Sequence, residues 1–316
     1  MNNKPCDLSL VVPCYNEEET VGIFYDEAMK TVSSLISSSE ISSYEFIFID
    51  DGSKDNTLEE IKKLRSKDSN VHFVSFSRNF GKEAGLFAGL EKSRGKYTAV
   101  MDVDLQDPPD LIPQMLKAIR DENYSCAATR RTNRKGEPII KSFFSNLFYK
   151  LMGKMTSIEV VSGARDFRLM TREYVDAFLK LRERNRFTKG LFPFVGFKTK
   201  WFEYKNVERS AGTTKWSFWK LFVYSIDGIM GFSTKPLAFA SLFGIFSLFA
   251  AFALIVFIIV RKILFGDPTS GWPSLVCIIL FVSGVQLFSI GILGQYIARI
   301  YTEIKQRPIY ISATEE

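Results

Sequence analysis

Histidine is nearly missing from this chain: among 316 residues there is one, His72. It lies in the apolar run Val71-His72-Phe73-Val74 and reads as a structural strand residue, which argues against histidine-based catalysis and histidine-ligated metals. Cysteine is scarce as well. Cys6, Cys14, Cys126 and Cys277 show no CxxC or Cys/His spacing, so neither a zinc site nor a disulfide framework is indicated. There is no apolar secretory segment at the start, because Met1 to Asp7 is polar and leads straight into a strand. No strong excess of one charge exists either: 41 Lys+Arg against 35 Asp+Glu suits an anion-handling or membrane-adjacent surface, not a nucleic-acid binder. Charge is most depleted between Pro236 and Ala298, where only Arg261, Lys262 and Asp267 occur.

What is present is centred on Tyr97-Thr98-Ala99-Val100-Met101-Asp102-Val103-Asp104-Leu105-Gln106-Asp107-Pro108-Pro109. If the strand runs on through this stretch, Asp102 and Asp104 share a face, and two carboxylates side by side call for a cation between them. A hard divalent ion bridging to a substrate phosphate meets that need. A strand end followed by an acidic turn is the plainer alternative.

Around this stretch the pattern alternates. Strands are expected at Leu8–Val12 (stopped by Pro13), Phe46–Ile49 and Val71–Phe76, with helices up to about residue 37, at Thr57–Ser66 and at Lys82–Ser93. Glu17, Glu18 and Glu19 suit the first turn of the first helix. The third helix, with Ala84, Leu86, Phe87, Ala88 and Leu90, is built of small and apolar residues for close packing. Such alternation predicts a mostly parallel α/β sheet, whose ligands collect at the carboxyl ends of its strands. Pro13–Glu17, Asp50–Ser53, Arg78–Lys82 and Asp102–Gln106 all fall there. Beyond Ile119 the pattern loosens: Cys126–Thr129 reads as a strand, and Arg130, Arg131, Arg134 and Lys135 as a basic loop before a helix near Pro138. That loop is either a solvated face or a phosphate contact. Taken alone, Ser162–Leu169 reads as a surface ion pair beside a glycine turn.

Pro236–Val260 and Trp272–Ala298 are each about 25 apolar residues, enough to cross a bilayer of ~30 Å. Residues 261–271 make the short external connection. Lys215, Lys220 and Lys235 ahead of the pair, with Arg299, Lys305 and Arg307 behind it, outvote Arg261 and Lys262, which puts both flanks in the cytoplasm. Trp216, Phe218, Trp219, Phe222 and Tyr224 interleaved with lysines predict an interfacial helix over 209–234, after an α/β body of residues 1–208 and before a tail at 299–316.

Those motifs, in order, resemble family-2 glycosyltransferases of the polyisoprenyl-phosphate hexosyltransferase branch. The matching pieces are Val12–Glu18, Ile49–Ser53, Asn79–Lys82 with Gly85-Leu86, Met101–Pro109, Ser162–Met170, Arg186-Phe187, Gly190-Leu191, Val195–Phe197 and Arg209–Trp216. Arg165 departs from the commonest pattern, as do Thr214 and Trp216. The resemblance implies a GT-A nucleotide-sugar fold followed by a transmembrane hairpin in a bacterial plasma membrane. It implies a nucleotide-sugar pocket from Pro13, Tyr15, Asn16, Glu17, Asp50, Asp51, Arg78, Lys82 and Asp102, and Mg²⁺ or Mn²⁺ on Asp102, Asp104 and Gln106. Asp166 and Asp104 are the implied catalytic carboxylates. Arg131, Arg168, Arg186, Arg209 and Lys215 are the implied contacts to acceptor phosphate. The implied reaction is inverting transfer of a hexose, from UDP-glucose or UDP-N-acetylglucosamine, to polyprenyl phosphate. GDP-mannose is the alternative donor, galactose also stays open, and a homotetramer is implied by relatives that assemble in membranes. A processive synthase is disfavoured because no Arg-Trp pair occurs. A nucleotidylyltransferase would need no hairpin. A non-catalytic scaffold would not need every charged position of the motif set.

Overall fold

A computed structural model describes residues 6–131, 152–156, 161, 163–204, 226–265 and 271–316. The helix expected near Pro138, the basic residues Arg134 and Lys135, and the interfacial aromatics and basic residues of 209–225, including Arg209 and Lys215, lie outside the described residues.

Strands β1 (Cys6–Cys14), β2 (Tyr44–Asp50), β3 (Val71–Phe76) and β4 (Gly95–Val100) are parallel, joined by helices α1 (Val21–Ser37), α2 (Thr57–Lys67) and α3 (Lys82–Lys92). After α4 (Ile112–Asp121) come β5 (Cys126–Arg131), β6 (Ala164–Thr171), α5 (Arg172–Leu179), α6 (Thr188–Phe194) and β7 (Thr199–Tyr204). With β8 (Ser312–Glu315) they form one mixed sheet of order β7-β5-β6-β4-β1-β2-β3-β8. β6 runs antiparallel to β4 and β5, and β8 antiparallel to β3. Both faces are covered: Leu8, Leu10, Val12, Phe46 and Phe48 pack under α1, and Val11, Ile47, Ile49 and Val74 under α3. Strands buried on both faces read as continuous apolar runs, which is why they were legible.

Helix α3 explains its own composition. A Cβ on Gly89 would lie 2.2 Å from Cγ1 of Val11, so the helix axis approaches β1 more closely than any side chain there would allow.

Several expectations are corrected. Pro13 does not stop β1, which pairs with β2 through Cys14; proline is tolerated at the last positions, where few ladder bonds remain. The acidic triplet precedes α1, whose first turn holds no acid. β4 ends at Val100, so strand alternation does not align Asp102 and Asp104; Val103 and Asp104 form a turn, and Leu105 takes a left-handed φ of 53°. The stretch Ala164–Leu169 is no surface feature: it lies in β6, an interior strand, with Phe167, Leu169 and Met170 fully buried. Strand β7 carries no apolar run to announce it.

The apolar segments form α7 (Lys235–Phe265) and α8 (Trp272–Ile304), with windows of mean hydropathy 2.9 and 1.9 and large apolar side chains outward. Both outrun the predicted spans, and Arg261 and Lys262 belong to α7, not to a loop. The chain after α8 is no loose tail. Phe73 and Glu316 exchange two backbone hydrogen bonds at 3.0 and 3.1 Å, and the Ser77 amide donates to the Ile311 carbonyl at 2.9 Å. Tyr310 stacks on Phe76 with centroids 4.9 Å apart and donates to Glu91 at 2.7 Å. Removing residues 312–316 should lower the thermal midpoint and raise aggregation, because β3 becomes an open edge; an unchanged midpoint would show that β8 adds nothing to the sheet.

Candidate active site

At the carboxyl ends of β1 to β4 the loops are tied to one another before any ligand is considered. Asn16, at φ 53°, donates its amide to Ser53 Oγ at 3.0 Å and accepts from the Lys54 amide at 2.9 Å. The Glu17 amide donates to Thr57 Oγ1 at 2.8 Å, while its carboxylate accepts from Thr20 at the same distance. Pro13, Tyr15, Asn16 and Glu17 are half-buried in this edge.

Asp50 and Asp51 both act inside the fold. Asp50 accepts from Ser75 Oγ at 2.7 Å and from the Ser53 amide at 2.9 Å. Asp51 accepts from the Phe80 amide at 2.6 Å and the Gly81 amide at 2.9 Å. Burial pushes the Asp51 carboxyl up, against those two donors. Gly52, at φ +64°, lets the β2–α2 loop touch the β3–α3 loop: a Cβ there would meet Arg78 C at 2.5 Å. Arg78 itself is exposed, its guanidinium 4.1 Å from the Phe80 ring centroid.

This clamp places Lys82, the first residue of α3. Its ammonium lies 2.6 Å from Asp102 Oδ1 and 2.6 Å from Asp166 Oδ2, with 44% of the side chain still exposed. Burial alone would lower the Lys82 pKa, but the two carboxylates outweigh it and hold the value well above the usual range. Burial likewise would raise Asp166; Lys82, helped by Lys189 and Arg168, instead holds it far below the usual carboxylate range. Arg168 is buried, lies 3.3 Å over the Phe192 ring and bonds the Asp166 and Arg165 carbonyls at 3.3 and 3.0 Å. It therefore backs the site from within and does not face the opening.

A second group adjoins the turn after β4. Gln106 accepts through its side-chain oxygen from Arg131 at 2.9 Å and Arg165 at 3.4 Å, and its amide donates to Asp104 Oδ1 at 3.2 Å. Asp107, fully buried, accepts from Arg165 Nε at 3.1 Å and from the Tyr204 hydroxyl. This Asp107–Arg165–Tyr204 cluster escaped sequence reading. Its one signal was Arg165, which departs from the family pattern. Arg186 lies apart from both groups, against the Phe87 and Phe178 rings at 4.7 and 5.2 Å.

The donor set is mixed for a cation. Among the described residues no three His, Cys, Asp or Glu side chains are grouped as a metal cluster. Asp102 and Asp104 nonetheless supply hard oxygen donors, and the Lys82 ammonium between Asp102 and Asp166 already occupies a cationic position there. Asp102 and Asp104 are the side chains that could hold a divalent ion, which would share Asp102 with Lys82.

A GT-A-like mixed sheet flanked by helices, with acidic and basic side chains gathered at its edge, is the class that this structure defines. The glycosyl transferase family 2 model matches residues 9–179, and the chain belongs to that family. It is 42% identical over 306 residues to the "SfII prophage-derived bactoprenol glucosyl transferase" of Shigella flexneri, covering 96% of each chain. It is equally 42% identical to the "Putative glycosyltransferase CsbB" of Bacillus subtilis over 304 residues, 96% of this chain and 90% of that one. Among solved structures, glucosyl-3-phosphoglycerate synthase from Mycobacterium tuberculosis aligns with 71% of this chain and 78% of its own, at a TM-score of 0.44 and 19% identity.

Glu83, beside Lys82, gives a test of this arrangement. Burial, aided by the Asp166 charge, pushes its carboxyl from 4.5 up to about 7, while it accepts from the Thr188 amide at 3.0 Å. A raised folded pKa means the native chain holds more protons between those values, so stability is full below 4.5 and falls as pH rises through about 7. Glu83→Gln keeps an acceptor without the charge, and its advantage in thermal midpoint over the natural chain should widen from about pH 5 to about pH 8. A gap that does not change with pH would overturn the assignment.

Proposed function

We propose that the chain transfers glucose from UDP-glucose to a membrane polyprenyl phosphate, inverting the anomeric carbon. The observation that carries this reading is the Lys82 ammonium gripped by Asp102 and Asp166 at the sheet edge, with part of its side chain open to an incoming diphosphate. Relatives named bactoprenol glucosyl transferase support the acceptor and the sugar. The apolar pair α7–α8 supports a membrane site, with both ends of the pair on the side of the catalytic domain and that side facing the cytoplasm, where nucleotide sugars are found.

In this reaction a phosphate oxygen of the lipid attacks the anomeric carbon, the bond from that carbon to the diphosphate oxygen breaks, and its electron pair leaves with the nucleotide. Mg²⁺ or Mn²⁺ on Asp102 and Asp104 would supply charge stabilisation for the departing diphosphate. Lys82 adds a fixed cation directed at the same charge. Gln106, held by Arg131 and Arg165, braces the turn that carries Asp104. The nucleophile needs little help, because a phosphate monoester has its second pKa near ~6 and is largely dianionic at neutral pH. Asp166, kept ionised by Lys82, is a poor proton acceptor; its part is to position Lys82.

Two measurements test this. With membranes holding the full chain, label from radioactive UDP-glucose should enter an organic-soluble, mild-acid-labile lipid. Asp104→Ala should remove that transfer while the protein stays folded and inserted. No lipid label from any of UDP-glucose, UDP-N-acetylglucosamine, UDP-galactose or GDP-mannose would end the proposal. Separately, Asp166→Asn should lower kcat by about 10²-fold, as for loss of one preorganised electrostatic contact, without altering the shape of the pH profile. A lost pH limb would restore Asp166 as the base.

A further inference from the structure

The three strands beyond β4 each deliver one side chain to the turn that follows it. Arg131 ends β5, Arg165 is the second residue of β6, and Tyr204 ends β7. The strand ends are tied to one another: Arg131 pairs with Tyr204, and the Arg131 amide donates to the Gly163 carbonyl at 3.0 Å. Gly163, at φ +78°, is required there, since a Cβ would lie 2.7 Å from the Arg131 carbonyl oxygen. The Arg165 carbonyl accepts from Arg168 at 3.0 Å, and β6 pairs with β4 and β5 through its backbone. The strand therefore does not depend on the Arg165 side chain.

What these side chains meet is a buried acid and an amide. Asp107 is fully buried; its Oδ1 accepts from Arg165 Nε at 3.1 Å and from the Tyr204 hydroxyl, and its Oδ2 has no donor among the described residues. Arg165 is then the cation that keeps this carboxylate in the interior, because removing one member of a buried pair leaves the other charge unmatched. Beside it, Gln106 Oε1 accepts from Arg131 at 2.9 Å and from Arg165 at 3.4 Å. A carbonyl oxygen has two lone pairs, and both are taken up here. Gln106 is therefore not available as a third ligand beside Asp102 and Asp104, the role that the sequence resemblance gives it. Its backbone amide instead donates to Asp104 Oδ1 at 3.2 Å. Contacts run without a gap from Arg165 through Gln106 to the Asp104 carboxylate.

We propose that Arg165 is a positioning residue for the divalent ion: it sets the Asp104 carboxylate through Gln106 and Asp107, with Gln106 a brace and not a ligand. The turn is pinned at both ends. Asp102 is held by Lys82 at one end, and Gln106 and Asp107 are held by Arg165 at the other. Asp104 lies between them, next to Leu105 with its left-handed φ of 53°. A carboxylate fixed in this way is preorganised for a cation, and partners one contact removed from an ion change its affinity by about 10- to 100-fold. The inference rests on the transfer reading only in the choice of ion and nucleotide.

The test uses the full chain in a neutral detergent, with Mn²⁺ as probe and UDP present or absent. Bound Mn²⁺ is read by electron paramagnetic resonance, together with UDP binding, the thermal midpoint and the kinetics of lipid labelling. R165Q should weaken UDP-dependent Mn²⁺ binding by about tenfold and lower kcat by a similar factor. KM for the lipid and metal-free UDP binding should hold. R165K keeps the charge beside Asp107 but loses the planar fork, and should recover part of the loss. A lowered thermal midpoint with unaltered Mn²⁺ affinity would make Arg165 merely structural and overturn the proposal. Tighter Mn²⁺ binding in R165Q would overturn it too, as the result expected if Gln106 were a ligand released by losing one guanidinium. So would a natural chain that binds no Mn²⁺ with UDP. If R165Q does not fold, R165K decides: weaker Mn²⁺ binding supports the assignment and unaltered binding overturns it. A chain whose Mn²⁺ binding depends on Arg165 but which forms no glycolipid would sink the transfer reading and leave the positioning role standing. Normal transfer with unaltered Mn²⁺ affinity in R165Q would do the reverse.

Discussion

Two carboxylates, Asp102 from the turn after β4 and Asp166 from β6, are brought to one point and would repel each other without a cation between them. Lys82 supplies it. Much of the surrounding architecture serves to keep that ammonium in place. Lys82 opens α3, whose start is set by Gly81 at φ +96° and by the Asp51 carboxylate clamping the amides of Phe80 and Gly81. The clamp in turn requires Gly52, since any side chain there would drive the two loops apart. A positive charge on a helix's first residue works against the helix dipole, so the placement costs stability that only the paired acids offset.

The same lysine helix links the sheet to the apolar hairpin. Glu83 accepts from the Thr188 amide at the start of α6, and the loop before it is fastened to α8 through Glu303. From the other side, the segment after α8 returns to the sheet as β8 and stacks Tyr310 on Phe76, next to Phe80. The end of α8 and the segment after it thus bear on both sides of the loop that positions Lys82.

Several acidic residues of the motif set are engaged inside the fold. Asp50 and Asp51 spend their oxygens on backbone amides and a serine within the fold, and Asp107 is sealed against Arg165 and Tyr204. Arg165 is the partner of that buried acid and of Gln106. Its presence follows from the charge it neutralises, a reason invisible from either residue alone because 58 positions separate them.

Local pattern alone determined the parallel half of the sheet, the three helices that follow its first strands, and the two long apolar segments. These depend on periodicity and on runs of one polarity, which neighbours in sequence suffice to define. The converging loops Pro13–Glu17, Asp50–Ser53, Arg78–Lys82 and Asp102–Gln106 were legible for the same reason, since strand ends mark themselves. Tertiary structure alone decided that Lys82 bridges Asp102 and Asp166, that Asp107 is sealed against Arg165 and Tyr204, and that β6, β7 and β8 complete the sheet. Each of these joins residues far apart in the chain, and burial with charge pairing, not local propensity, selects the partner.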